Sequence, residues 1–269
     1  MQGSERALVD AARAPDFYSQ KMVWNIFRPI GVVRRMPILT SMNSGPITID
    51  RPRLVSALQA HIGDRAFPCV GAKSAMNSGM LEVITAWSIK SAWDDVAIHK
   101  SLLDWSRRYE TEKEGLRSLA VVFSEPDNLD EASFEVAMWQ RIQSLADKDN
   151  WLGQRYDASV SGDPDDPHFS LSFGEKAYFV VGMHPRASRA ARRMAYPTMI
   201  FNLHDQFVRL REQQKYEKLR SAILARDEQL DGSINPMLAR HGEVSEARQY
   251  SGRAVNDDWR CPFQDPRKS

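Results

Sequence analysis

The sequence predicts an α+β fold. One domain is expected over residues 1–269, with a mixed or antiparallel sheet, flanking helices and a long C-terminal tail packed on the core. Three observations carry this expectation. Apolar residues recur at helical spacing in four separate stretches. Segments of strand period lie among them, two of them joined by a tight turn. The polar segment from Asp231 to Ser269 still carries Tyr250, Trp259, Cys261 and Phe263, which a disordered tail has no use for. A chain of 269 residues, 42% hydrophobic and 26% charged, can bury a sizeable core.

Residues 1–48 are mixed, with a basic stretch from Arg28 to Arg35 and no clear period. From Arg51 to Ile62, Leu54, Leu58 and Ile62 form a helical stripe. A second helix is predicted from Asp94 to Glu110, with Ile98, Leu102, Trp105 and Tyr109 on one face and Asp94 as its cap. Leu116 to Phe123 reads as a strand, stopped by Ser124-Glu125-Pro126. A third helix follows from Asp130 to Ala146, with Phe134, Met138, Ile142 and Leu145 on its apolar face. Ser161–His168, SGDPDDPH, is the strongest loop signal. Phe169, Leu171 and Phe173 then alternate with small residues, and Gly174-Glu175-Lys176 turns the chain into Tyr178–Val181, a β-hairpin. Thr198–Phe201 reads as a further strand, followed by one long polar helix from Asp205 to Leu230.

Charge and composition exclude several function classes. Lys and Arg number 36 against 35 Asp and Glu, a net charge of 36 − 35 = +1, so a nucleic-acid footprint is not expected. The longest apolar runs are short, as in Leu119–Phe123, so no membrane span is expected. The first twenty residues carry Glu5, Asp10 and Asp16 and show no apolar signal region. Two cysteines make neither a disulfide framework nor a zinc site alone, which places the chain in a reducing cytoplasm. GxGxxG after a strand, GxxxxGK[ST], HExxH and GxSxG are all missing. Seven Trp and seven Tyr leave apolar surface enough for a homodimer.

The positions with chemical potential are therefore few. His204 sits at a strand-to-helix junction, where a neutral imidazole can bind a metal or haem iron; a structural histidine fits there as well. His184 ends a strand just before Pro185, as an iron ligand, a distal acid or base, or a turn histidine. His61, His99, His168 and His241 read as structural or surface groups. The run from His184 to Arg193 holds four arginines and no acid. If helical, it puts Arg186, Arg189 and Arg193 on one face, suited to gripping a carboxylate. Cys69 and Cys261 read as small buried hydrophobes, with a thiolate ligand as the alternative. Glu82, Asp205 and Glu246 are acids able to bind a cationic substrate. Residue by residue, the sequence supports an α+β domain with a His-ligated cofactor and goes no further.

Six blocks carry a resemblance. FPCVGAKSA (Phe67–Ala75), YFVVGMHPRASRAARRMAYP (Tyr178–Pro197), FNLHDQF (Phe201–Phe207), RDEQLDGSINPML (Arg226–Leu238), SEARQYSGR (Ser245–Arg253) and WRCPF (Trp259–Phe263) resemble the YqcI/YcgG family. Several members of that family are haem-dependent N-hydroxylases of guanidino groups. The size of the chain and the surroundings of His204 resemble most the members that convert L-arginine to Nω-hydroxy-L-arginine in D-cycloserine biosynthesis. The resemblance implies haem b, with His204 as proximal ligand and His184 as second choice. It implies Arg186, Arg189 and Arg193 as contacts to haem propionates or a substrate carboxylate, and Glu246 or Asp205 as partner of the substrate guanidinium. With no flavin or nicotinamide motif, the expected oxidant is oxygen with a separate reductase, or hydrogen peroxide. Competing readings are a haem sensor or carrier without turnover, an interaction protein with structural histidines, and a thiolate-haem monooxygenase using Cys69 or Cys261.

Overall fold

In a computed structural model, residues 48–268 are described. The basic stretch Arg28–Arg35 and the acids of the first twenty residues lie outside them. The described chain forms a five-stranded mixed sheet with helices on both faces. In chain order the elements are α1 (Arg51–Gly63), α2 (Val70–Asn77), β1 (Leu81–Ser88), α3 (Asp95–Thr111), β2 (Ser118–Glu125), α4 (Glu131–Trp151), β3 (Leu171–Phe173), β4 (Lys176–Met183), β5 (Thr198–Leu203), α5 (His204–Glu212), α6 (Tyr216–Asp231) and the single turn α7 (Ala247–Tyr250). Among the described residues no helix is long and apolar enough to cross a membrane.

The strand order is β1-β2-β5-β4-β3. The β1–β2 pair is parallel, with α3 as its crossover, and the other three pairs are antiparallel. Strand period then sorts the side chains. Leu119, Val121 and Phe123 of β2, with Met199, Phe201 and Leu203 of β5, join Trp105 of α3 and Phe134 of α4 in one core. Ala120, Val122 and Ile200 point the other way, to Leu54, Leu58 and Ile62 of α1.

Local chemistry explains the boundaries. Asp50 caps α1, its carboxylate accepting from the Arg53 amide at 3.1 Å, and Asp130 caps α4 through the Ser133 amide at 2.7 Å. Asp94 does not cap α3 as expected. Its Oδ2 accepts instead from the Trp87 amide at 2.7 Å, tying the helix start to β1. The hairpin turn has two central residues, Gly174 and Glu175, both left-handed at φ 57° and 62°, the geometry that matches strand twist. A Cβ on Gly174 would lie 2.6 Å from Leu103 Cδ2, so any other residue there would displace that side chain as well as strain the backbone.

Two further expectations fail. The long helix from Asp205 to Leu230 is two helices, broken at Gln213–Lys215, where Gln214 adopts φ 56°. No proline or glycine marks the break. α5 is held to β2, where the Gln206 amide accepts from the Arg117 N–H at 2.9 Å and donates to its carbonyl at 3.1 Å, while α6 turns off to face a cavity. The arginine run is not helical apart from one 3-10 turn at Ala190–Arg192, so Arg186, Arg189 and Arg193 share no helix face. β1 and α2 were not anticipated.

The tail is tied down, as its aromatics implied. Tyr250 is fully buried, and its hydroxyl donates to the Tyr178 carbonyl at 3.2 Å. Phe263 packs against Trp139 and Phe169.

Candidate functional site

β5 occupies the centre of the sheet, and His204 follows directly at the N-terminus of α5. The end of a central strand is a rigid place to present a side chain. Here it borders a cavity of about 280 Å³. Its floor is Val181 and Met183 of β4 with Ile200 of β5. Leu219, Ile223 and Leu224 of α6 face it, and Phe67, Pro68 and Cys69 close one side. Of the sixteen residues of α6 only Asp227 is buried. A helix whose apolar stripe remains half-exposed is lining a space rather than packing into one.

His204 is 8% exposed, and its Nε2 is buried with no hydrogen-bond partner. Burial lowers its pKa, opposed by the charge of Glu246, which favours the neutral imidazole. Beside it stands His241, with ring centroids 4.5 Å apart. His241 Nδ1 lies 3.0 Å from Glu246 Oε1. Glu246, 5% exposed, also accepts from Ser170 Oγ at 2.7 Å and from the Tyr250 hydroxyl at 3.3 Å, both on Oε2. Ligand atoms of His204, His241 and Glu246 all lie within 4.8 Å of one another. The loop Ser161–His168 positions this segment. The Pro164 carbonyl accepts from Ser245 Oγ at 2.6 Å, and the Pro167 carbonyl from the Gly242 amide at 3.0 Å.

The other expected site residues scatter. Asp205 does not line the cavity: its Oδ2 accepts from the Tyr109 hydroxyl at 2.8 Å and pairs with Arg209 Nε at 3.3 Å, fastening α5 to α3. His184 is buried away from the cavity lining, stacked on Phe134 at 4.5 Å. Its pKa is lowered by burial, against the opposing charges of Glu131 and Asp130. Arg186 and Arg193 are exposed and do not line the cavity. Arg189 lines it but is engaged by Asp227 at 2.5 Å and Asp231 at 3.2 Å.

The arginine of that run with the strongest claim is Arg192. It lines the cavity and donates only to carbonyls, those of Gly182 at 2.9 Å, Tyr250 at 3.2 Å and Gln249 at 3.2 Å. Burial pushes its pKa down to about 10, so an anion in the cavity would be favoured beside it. Arg211 and Arg220 also line the space. Nothing in the sequence separated Arg192 from its neighbours. His241, read as a tail histidine, is brought in by the fold. Cys69 lines the cavity, but burial raises its pKa, and that of Cys261 is pushed up to about 12. Neither thiol favours the thiolate.

The model of the YqcI/YcgG family matches residues 58–264, more than half of the chain. The chain belongs to the YqcI/YcgG family. The matched span takes in all five strands, the cavity walls and the docked tail, so the family's shared sequence includes everything that builds the site. No curated protein and no solved structure matches the chain.

Proposed function

We propose that this member of the YqcI/YcgG family is a haem-dependent N-hydroxylase of a guanidino group, with L-arginine as substrate. The observation that carries the reading is the buried, unpartnered Nε2 of His204 at the edge of an apolar cavity. An orphaned buried nitrogen costs about 1–3 kcal/mol. A ligand to iron would remove that cost.

The residues present fit haem. His204 offers a neutral imidazole. Val181, Ile200, Leu219 and Ile223 offer an apolar surface for a macrocycle. Arg192, Arg211 and Arg220 offer cations for propionates, in place of the expected Arg186, Arg189 and Arg193. Haem, when bound, supplies the oxygen activation that side chains cannot.

The chain itself binds and orients the substrate. Glu246 receives three donors and has about four acceptor sites, which leaves one on Oε1 for a substrate N–H. A guanidinium placed there keeps its charge paired away from water. Asp205, outside the cavity, fastens α5. One oxygen atom enters an N–H bond of the substrate and a second leaves as water. With O₂, two electrons and two protons come from a separate reductase; hydrogen peroxide already carries them.

The test is a visible spectrum of protein from haem-supplemented cells, followed by incubation with L-arginine and peroxide. A Soret band is expected in the wild type and in His184→Ala but not in His204→Ala. Mass spectrometry should then find arginine heavier by one oxygen. A wild type that takes up no haem sinks the reading. Haem uptake without product leaves a carrier or sensor instead.

A further inference from the structure

Six side chains that carry an amide or a carboxylate line the cavity, and five of them have hydrogen-bond partners. Asn202 Oδ1 accepts from Ser118 Oγ at 2.7 Å. Gln206 bonds both main-chain groups of Arg117. Asp227 accepts from Arg189 at 2.5 Å and from the Asn235 amide at 3.1 Å, and Asn235 Oδ1 accepts from the Met237 amide at 2.9 Å. Glu246 has its three donors. Gln249 is the exception. It is 4% exposed, and among the described residues its carboxamide has no partner. Arg192 donates to the main-chain carbonyl of Gln249 at 3.2 Å and not to its side chain. A carboxamide this enclosed is costly to leave unpaired, and a ligand in the cavity would satisfy it.

Its place in the chain says which ligand. Gln249 follows Glu246 by three residues, and its main-chain N–H donates to the Glu246 carbonyl at 2.9 Å in the turn α7. Residues so spaced are neighbours on one helix face, with Cβ atoms about 5–6 Å apart. Carboxylate and carboxamide therefore border the same part of the cavity. We propose that Gln249 is the specificity-determining residue for a guanidino substrate, its Oε1 accepting a second N–H of the guanidinium that Glu246 binds; this rests on the role given to Glu246 in the proposed function. A guanidinium spreads its N–H donors over a plane, and Glu246 has one acceptor site left for them. An ammonium gathers its donors on a single nitrogen and has no use for a second acceptor set along that plane. Glu246 alone would serve arginine and lysine alike, whereas Glu246 with Gln249 favours the planar fork. Because Gln249 is neutral, it adds an acceptor without a second buried charge.

Binding of L-arginine and of L-lysine is measured by calorimetry on the protein as purified and again after haem loading. Wild type is compared with Gln249→Met, which keeps the length without the acceptor, and Gln249→Glu, which keeps the acceptor. Gln249→Met should weaken arginine binding by about 10–150-fold, the loss of one hydrogen bond to a charged group, and lysine binding by less than about threefold. Gln249→Glu should hold arginine within a few-fold of wild type. Thermal melts identify a variant that fails to fold, and Gln249→Ala then takes the place of Gln249→Met. Arginine held equally by wild type and the folded variant, equal losses on both ligands, or no arginine binding to wild type overturns the proposal. The haem reading is scored separately on the same samples by the Soret band and the oxygenated product. Arginine binding that depends on Gln249 in a protein that takes up no haem would uphold the role of Gln249 and remove haem.

Discussion

At the residue scale, two acids with similar sequence credentials have different surroundings. Glu246 is buried at the cavity, whereas Asp205 bridges Tyr109 and Arg209. On the proposed function, Glu246→Gln is therefore expected to lower kcat/KM for arginine by about 10–150-fold, the roughly 1.5–3 kcal/mol of a hydrogen bond to a charged group. Asp205→Asn should leave that value within a few-fold and cost about 1 kcal/mol in urea unfolding. Equal losses in both variants would contradict the assignment. His184 makes a prediction about pH. Burial lowers its folded pKa below the ordinary value of about 6.5, so the unfolded chain binds the proton more readily. Stability is thus expected to fall as pH drops below about 6.5, and to stop changing on this account below the folded pKa. The groups facing it, Glu131 and Asp130, oppose the effect. Melts of His184→Leu across this range should show a shallower dependence. The histidines also mark how far the sequence was legible. His204 stood out by its place at a strand end, and the fold puts it on the cavity. His241 had no local signal: it is placed by its contact with Glu246 and by the neighbouring Gly242 amide, which donates to the Pro167 carbonyl.

At the scale of elements, patterning was most reliable where one face meets a core. The stripes of α1, α3 and α4 are buried as read. It failed where a helix faces a cavity. α5 and α6 share a polar pattern long enough for one helix, and the break lies at residues without a turn signature. Gln214 pays for the break with a left-handed backbone, worth about 1–2 kcal/mol for a residue with a side chain. Gln214→Gly should therefore raise the unfolding free energy by about 0.5–1 kcal/mol, since glycine also costs entropy in the unfolded chain. A loss measured by thermal melting would mean that the side chain does more than occupy the turn.

At the scale of the whole molecule, the tail completes both sides of the sheet. Tyr250 sits in the main core, against Trp139, Phe169 and Phe179, while Gln249 and Glu246 of the same segment line the cavity. Arg192 links them by donating to the carbonyls of Gln249, Tyr250 and Gly182. Tyr250→Ala is expected to cost about 3–5 kcal/mol by loss of a large core side chain, and to weaken ligand binding at the cavity at the same time. Tyr250→Phe should keep most of the stability, losing hydrogen bonds worth about 1 kcal/mol. Unfolding curves in urea, with haem uptake measured beside them, distinguish these outcomes. An unchanged melting point in Tyr250→Ala would mean that the tail is not part of the cooperative unit.

By itself the sequence determined the α+β class, helices α1, α3 and α4, four of the five strands, the hairpin, the docked tail and the family, because periodicity and turn chemistry act over neighbouring residues. It also picked out His204, and named Glu246 alongside Asp205 and Glu82 as candidate acids. Only the tertiary structure decided that Arg192 rather than Arg186 or Arg193 lines the cavity, that His241 joins His204, and that Asp205 fastens α5 instead. Those choices depend on which side of the sheet each segment lands on and on partners distant in the chain. No local pattern encodes them.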